Sequence, residues 1–142
     1  MRYLCLDLGD KRTGVAIGDA ETGIVTPLRV VECAASNETE LVRVLSGIVQ
    51  DQKPGALVIG LPLNMDDSEG PQAKKVRVLG ERLSNQLRLS LHFQDERLTS
   101  EAADWAMARV GFSRGEKKSR RDAIAAATIL RDFLSTLSSR PE

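Results

Sequence analysis

The chain has 142 residues, 42% hydrophobic but only 4% aromatic, and sets 20 Lys or Arg against 20 Asp or Glu. That size fits one domain with an aliphatic core, able to bury roughly two thirds of its unfolded surface, and zero net charge excludes a surface that binds polyanions everywhere. There is no charged-then-apolar leader and no apolar run near the ~20 residues of a membrane span, so a soluble, cytoplasmic protein is expected; Cys5 and Cys33 stand alone and are read as buried free thiols, not as a disulfide or zinc ligands.

Tyr3–Leu8 and Thr13–Gly18 read as two strands joined by a short polar loop that holds Gly9 and two basic residues. Alternation puts Leu4, Leu6 and Leu8 on one face of the first strand and Tyr3, Cys5 and Asp7 on the other. Ile24–Glu32 is a third extended run, and Pro27 suits an edge position or a strand start. Asn37 with Glu40 is a plausible N-cap pair for a helix carrying Leu41, Val44, Leu45, Ile48 and Val49, which Pro54-Gly55 ends. Ala56–Gly60 is apolar without alternation, as a strand covered on both faces would be. After the loop 61–70, Pro71 can open a second helix with Ala73, Val76, Gly80, Leu83 and Leu87 on one face. Ser90–Gln94 is a fifth strand, with Leu91 and Phe93 facing one way and His92 and Gln94 the other. Two further helices are expected, from about Thr99 to Val110 and from about Ser119 to Leu137.

Short connections make the first three strands antiparallel, and helical connections make the later ones parallel. The expected fold is therefore α/β: a mixed five-stranded sheet with its first strand central and helices on both faces. It forms one domain over residues 1–138, with 139–142 as a tail.

Three acids stand where ligands gather in such sheets. Asp7 lies in an apolar strand, where an ionised carboxylate needs a compensating partner, although Asp and Gly9 could simply make a turn. Glu96 ends the fifth strand; its alternative is a surface Glu paired with Arg97 or stabilising the next helix N-terminus. Asp122 closes Ser119-Arg-Arg-Asp122, which also fits a capping box. Converging, the three would form a hard-oxygen site for Mg²⁺ or Mn²⁺, the device by which paired ions cleave phosphodiesters. From Arg109 to Arg121 six basic residues oppose only Glu116, a local net +5 suited to phosphate contacts by Lys117, Lys118, Arg120 and Arg121. His92, the sole histidine, is read as a strand-face residue and Trp105 as core packing.

Four motifs in order carry a resemblance: Asp7-Leu-Gly-Asp-Lys-Arg-Thr-Gly14, Gly60-Leu-Pro-Leu-Asn-Met-Asp66, Asp95-Glu-Arg-Leu-Thr-Ser100, and Lys118-Ser-Arg-Arg-Asp122 before an Ala-rich helix. From about Arg2 to Leu137 the chain resembles the YqgF/RuvX family, bacterial nucleases of ribonuclease-H-like fold described as processing the small-subunit ribosomal RNA precursor. Some members are linked instead to Holliday junctions. The likeness implies that Asp7, Glu96 and Asp122 are the catalytic, metal-binding acids and that Arg12 and Lys118 are recurrent basic positions. Within the same motifs Lys11, Asn64 and Arg97 join the substrate contacts. The implied substrate is pre-rRNA, in isolation or within ribosomal precursor particles, or branched DNA; the implied state is a monomer or homodimer. Relatives usually have Gly where this chain has Asp67, which alters a position suited to positive φ and adds charge near the phosphate path. Two other classes compete. A phosphotransferase of the actin/sugar-kinase type would need a second such domain, and a non-catalytic RNA-binding module has no use for three retained acids.

Overall fold

The computed structural model describes residues 1–64, 66, 68–96 and 114–139, with the side chains of the last segment described over 123–137. The expected helix from Thr99 to Val110, Trp105, Arg97, Arg109 and Asp67 lie outside the described residues.

Five strands form one sheet: β1 (Arg2–Leu8), β2 (Thr13–Asp19), β3 (Val25–Val31), β4 (Ala56–Leu61) and β5 (Ser90–Asp95). The spatial order is β3-β2-β1-β4-β5, so the first strand is central, as its apolar run requires. The β1–β2 and β2–β3 pairs are antiparallel, and the β1–β4 and β4–β5 pairs are parallel. β3 is an edge strand, and its register slips by one residue between Val15 and Ala16, opposite Arg29 and Pro27. A proline and a bulge on an edge both hinder pairing with another chain.

Helices α1 (Glu38–Gln52) and α2 (Pro71–Leu87) cover one face, and α3 (Arg114–Ser139) crosses the other. Asn37 caps α1 by accepting the Glu40 N–H. Leu41, Leu45 and Ile48 of α1 and Ala73, Val76, Leu83 and Leu87 of α2 pack on Leu4, Leu6, Leu8, Val15, Leu57 and Ile59. The opposite core joins Tyr3, Cys5, Ala16, Ala56 and Val58 to Ala126, Ala127, Ile129, Leu130 and Phe133 of α3. Alternation along β1 thus divides its side chains between two cores, as expected. Gly18 lets α3 approach the sheet closely: a Cβ placed on it would lie 2.8 Å from Leu130 Cδ2. Leu4, Leu6, Leu57, Ile59, Ile129 and Leu130 are among the fully buried side chains, each stabilising by roughly 1.5–3 kcal/mol relative to exposure.

His92 is exposed on β5 and packs in an aromatic cluster, with ring centroids 6.2 Å from Tyr3 and 5.1 Å from Phe133. Cys5 and Cys33 are buried free thiols. Among the described residues no helix is long and apolar enough to cross a membrane.

The last helix corrects one expectation. It begins at Arg114, five residues before Ser119, so Ser119-Arg-Arg-Asp122 is not a capping box but lies inside the helix. Glu116, Lys117 and Lys118 are good helix formers, and this propensity extends the helix past an internal Ser that resembles a cap.

Candidate functional site

Asp7 is the penultimate residue of β1. It pairs with Gly14 of β2, inside the ladder, and therefore does not start a turn. The turn comes later, where the Gly9 N–H donates to the Arg12 carbonyl at 3.0 Å. Facing Gly14, which has no side chain, leaves the α3 side of Asp7 open on that flank.

Glu96 follows β5 directly, and its N–H donates to the Leu61 carbonyl of β4 at 3.3 Å. β4 separates the strands that carry the two acids. Its residue on the α3 face is Gly60, which follows Ile59, the partner of Leu6. A Cβ on Gly60 would lie 2.6 Å from Glu96 Oε2 and 2.7 Å from Ile129 Cδ1. The Glu96 carboxylate therefore lies directly over the backbone of β4. There it shares a side-chain hydrogen bond with Asp7.

Burial pushes the Glu96 carboxyl up to about 8, aided by the charge of Asp7, the hydrogen bond to Asp7 and the charge of Asp95. Cys5, fully buried on the same face of β1, is raised well above its ordinary value by burial and then by the charges of Asp7 and Glu96. That keeps it a thiol and unreactive, since the thiolate is the nucleophile.

The raised Glu96 carboxyl has a consequence for stability. A group that holds its proton more tightly when folded costs nothing below its ordinary value of 4.5; stability then falls as pH rises toward about 8, and levels beyond. In the presence of a chelator, the melting temperature of the wild type should decline across that window relative to Glu96→Gln. Parallel profiles would show that no such proton is held.

Paired carboxylates, half-buried and sharing a proton, are a donor set that fits a hard divalent cation. Among the described residues no group of three or more His, Cys, Asp or Glu stands close enough to hold an ion. Asp122 lies in α3 with its side chain outside the described residues, as do the side chains of Lys117, Lys118, Arg120 and Arg121. Of the other candidates, Lys11 is exposed in the β1–β2 turn, and Arg12 approaches Glu32 at 4.0 Å. Asn64 braces its own loop, its N–H donating to the Ser68 carbonyl at 2.9 Å and its Nδ2 to Ser68 Oγ at 3.0 Å. In the sequence Gly60 is simply the last residue of the apolar run Ala56–Gly60. Only the packing of Glu96 against it gives Gly60 its place between the two acids.

The model of the family described as "RuvX: Holliday junction resolvase" matches residues 1–136. A Chloroflexus aurantiacus protein named "Putative pre-16S rRNA nuclease" is 37% identical over 138 residues, covering 97% of this chain and 89% of the relative. A protein of the same name from Caldanaerobacter subterraneus subsp. tengcongensis is 39% identical over 137 residues, covering 96% and 97%. Among solved structures, T. thermophilus RuvC in complex with a Holliday junction substrate superposes with a TM-score of 0.62 at 12% identity, over 98% of this chain and 97% of that one. The Fowlpox virus resolvase bound to Holliday junction DNA gives 0.59 at 10% identity, over 96% and 99%. At such identities these structures speak for the fold alone, whereas the family model and the relatives place the sequence: the chain belongs to the RuvX family of nucleases, with a ribonuclease-H-like fold.

Proposed function

We propose that this chain is a divalent-metal-dependent endonuclease that processes the 5′ end of pre-16S ribosomal RNA. The observation that carries the reading is the Asp7–Glu96 pair, two carboxyls brought together over Gly60 at the carboxyl ends of β1 and β5. Neither stabilises the fold by its charge, since burying like charges side by side is costly without a cation. Asp122 completes the set in this reading. Supporting it, α3 places Phe133 beside Tyr3 near the start of β1 and Ile129 beside Gly60 near the end of β4, so earlier residues of the helix run toward the two acids.

Mg²⁺ or Mn²⁺ held by Asp7, Glu96 and Asp122 would supply activation of the attacking water and charge stabilisation at the phosphate. The chain's own residues do the rest. Asp7 and Glu96 would give up their shared proton where they hold the cation, and Lys117, Lys118, Arg120 and Arg121, with Lys11, Arg12, Asn64 and Arg97, hold the backbone of the nucleic acid in register. The substrate follows the name carried by the relatives. A second reading, cleavage of branched DNA, is favoured by the family model's description and would call for a homodimer making paired cuts.

The deciding experiment compares cleavage of a precursor-rRNA 5′ fragment and a four-way DNA junction with Mn²⁺, Mg²⁺ or chelator. Faster cutting of the RNA is expected. Preference for the junction would replace the first reading with the second, and binding without cleavage of either would leave a non-catalytic module. Replacing Lys117, Lys118, Arg120 and Arg121 together with Ala should weaken binding and lower the salt slope by up to about 3.6, at roughly 0.7–0.9 per phosphate contact. An unchanged slope would make the basic run a solvated helix surface only.

A further inference from the structure

A groove of about 560 Å³ opens on the other side of the sheet from the acid pair, at the same carboxyl end of β1. It lies between the β1–β2 turn, the segment leading into α1, and α2. Leu8, Val76 and Leu79 give it apolar walls, and Lys74 and Lys75 are exposed along it. Arg82 is spoken for, with its Nε 3.5 Å from Glu38 Oε1. Among the described residues Lys74 and Lys75 have no ion-pair partner, and neither does Lys11 in the adjoining turn. Asp10 is the one acid of the lining that lacks such a partner among them.

We propose that this groove binds the single-stranded segment of nucleic acid that flanks the scissile phosphate, an inference that rests on the nuclease reading above. Continuity argues for it. The turn Gly9–Arg12 directly follows the strand that carries Asp7, so a nucleic-acid strand leaving the acid pair over the carboxyl end of β1 passes Lys11 and enters the groove. Charge argues for it as well, because two unpaired lysines beside an apolar wall offer phosphate contacts and a surface for the bases. A duplex keeps its bases stacked inside and could use only the lysines. Among the described residues the lining contains no aromatic ring, so none of them offers the stacking that strengthens many single-strand sites. Binding here is therefore sequence-tolerant and governed by phosphates.

The test uses the full chain carrying Asp7→Asn, which prevents cleavage, and a duplex bearing single-stranded overhangs of zero to six nucleotides on either end. Affinity should rise with overhang length on one of the two sides and then level off. Adding Lys74→Ala and Lys75→Ala should remove that increment, about tenfold in Kd, and lower the salt slope by roughly 1.4, at about 0.7 per single-strand phosphate contact. The charge-matched pair Arg2→Ala and Lys53→Ala, near the opposite end of β1, should leave the increment in place. An increment that survives the loss of both lysines overturns the proposal, as does the absence of any increment; a groove reserved for a protein partner would give the latter. Either failure leaves cleavage by the wild type intact, whereas failure of the nuclease reading itself would appear as no Mn²⁺-dependent cutting of any substrate.

Discussion

Asp7→Asn should abolish Mn²⁺-dependent cleavage, by roughly a thousandfold or more, while the protein melts at or above the wild-type temperature. The two halves of that expectation have one cause. Burial first, and then the charge of Asp7 and the hydrogen bond to it, push the Glu96 carboxyl up to about 8, so part of the cost of holding this group in the metal-free protein belongs to Asp7. Removing the Asp7 charge removes its share of that cost, so stability does not suffer. Asparagine is close to the same size and its amide can still hydrogen-bond to Glu96. The same change takes away a hard anionic ligand, and a bound cation is worth several kcal/mol of charge stabilisation in the transition state. Nucleic-acid binding should persist, since the phosphate contacts come from basic residues. Asp122→Asn makes a useful companion. With the helix beginning at Arg114, Asp122 occupies an interior helical position and not the first turn, so the loss of about 1 kcal/mol typical of a removed N-cap is not expected. A fall in cleavage at constant melting temperature would place Asp122 with the other acids. Full activity in Asp7→Asn would end the nuclease mechanism proposed here.

Much of this arrangement could be read from the amino acids because the relevant signals are local. Alternation of Leu4, Leu6 and Leu8 against Tyr3 and Cys5 predicts a strand with two different faces, and each face has its own core. The unbroken apolar run Ala56–Gly60 predicts a strand covered on both sides, and short versus helical connections predict which pairs run antiparallel. The start of α3 was misread because a Ser followed three residues later by an acid satisfies the capping pattern wherever it occurs. What decides is whether the preceding residues can continue the helix, and Arg114-Gly-Glu-Lys-Lys can. The meeting of Asp7 and Glu96 was readable only as a tendency of strand ends to hold ligands. Their contact depends on a residue with no side chain in a third strand. The groove left no trace at all, since the β1–β2 turn and the outer residues of α2 that line it are remote in sequence.

Gly60→Ala should lower kcat by about a hundredfold with only a modest loss of stability. Overpacking a buried position usually costs about 1–3 kcal/mol, less where the obstructed neighbour can move. At Gly60 both obstructed atoms are side-chain tips, Glu96 Oε2 at 2.6 Å and Ile129 Cδ1 at 2.7 Å from the new methyl. The fold can therefore adapt, and the adaptation falls on the site. Glu96 swings off the backbone of β4 and away from Asp7, a displacement on the order of 1 Å, enough to cost about a hundredfold when it touches reacting groups. The Glu96 carboxyl should titrate closer to its ordinary value of 4.5, because it loses burial and the neighbouring charge together. Ile129→Val supplies the discriminating control. It removes Cδ1 and so relieves the second contact without touching the first. Adding it to Gly60→Ala should recover melting temperature but not kcat if the displaced carboxyl is the cause. Recovery of both would mean that the methyl acts by shifting α3, and that Glu96 keeps its place over β4 in the single mutant.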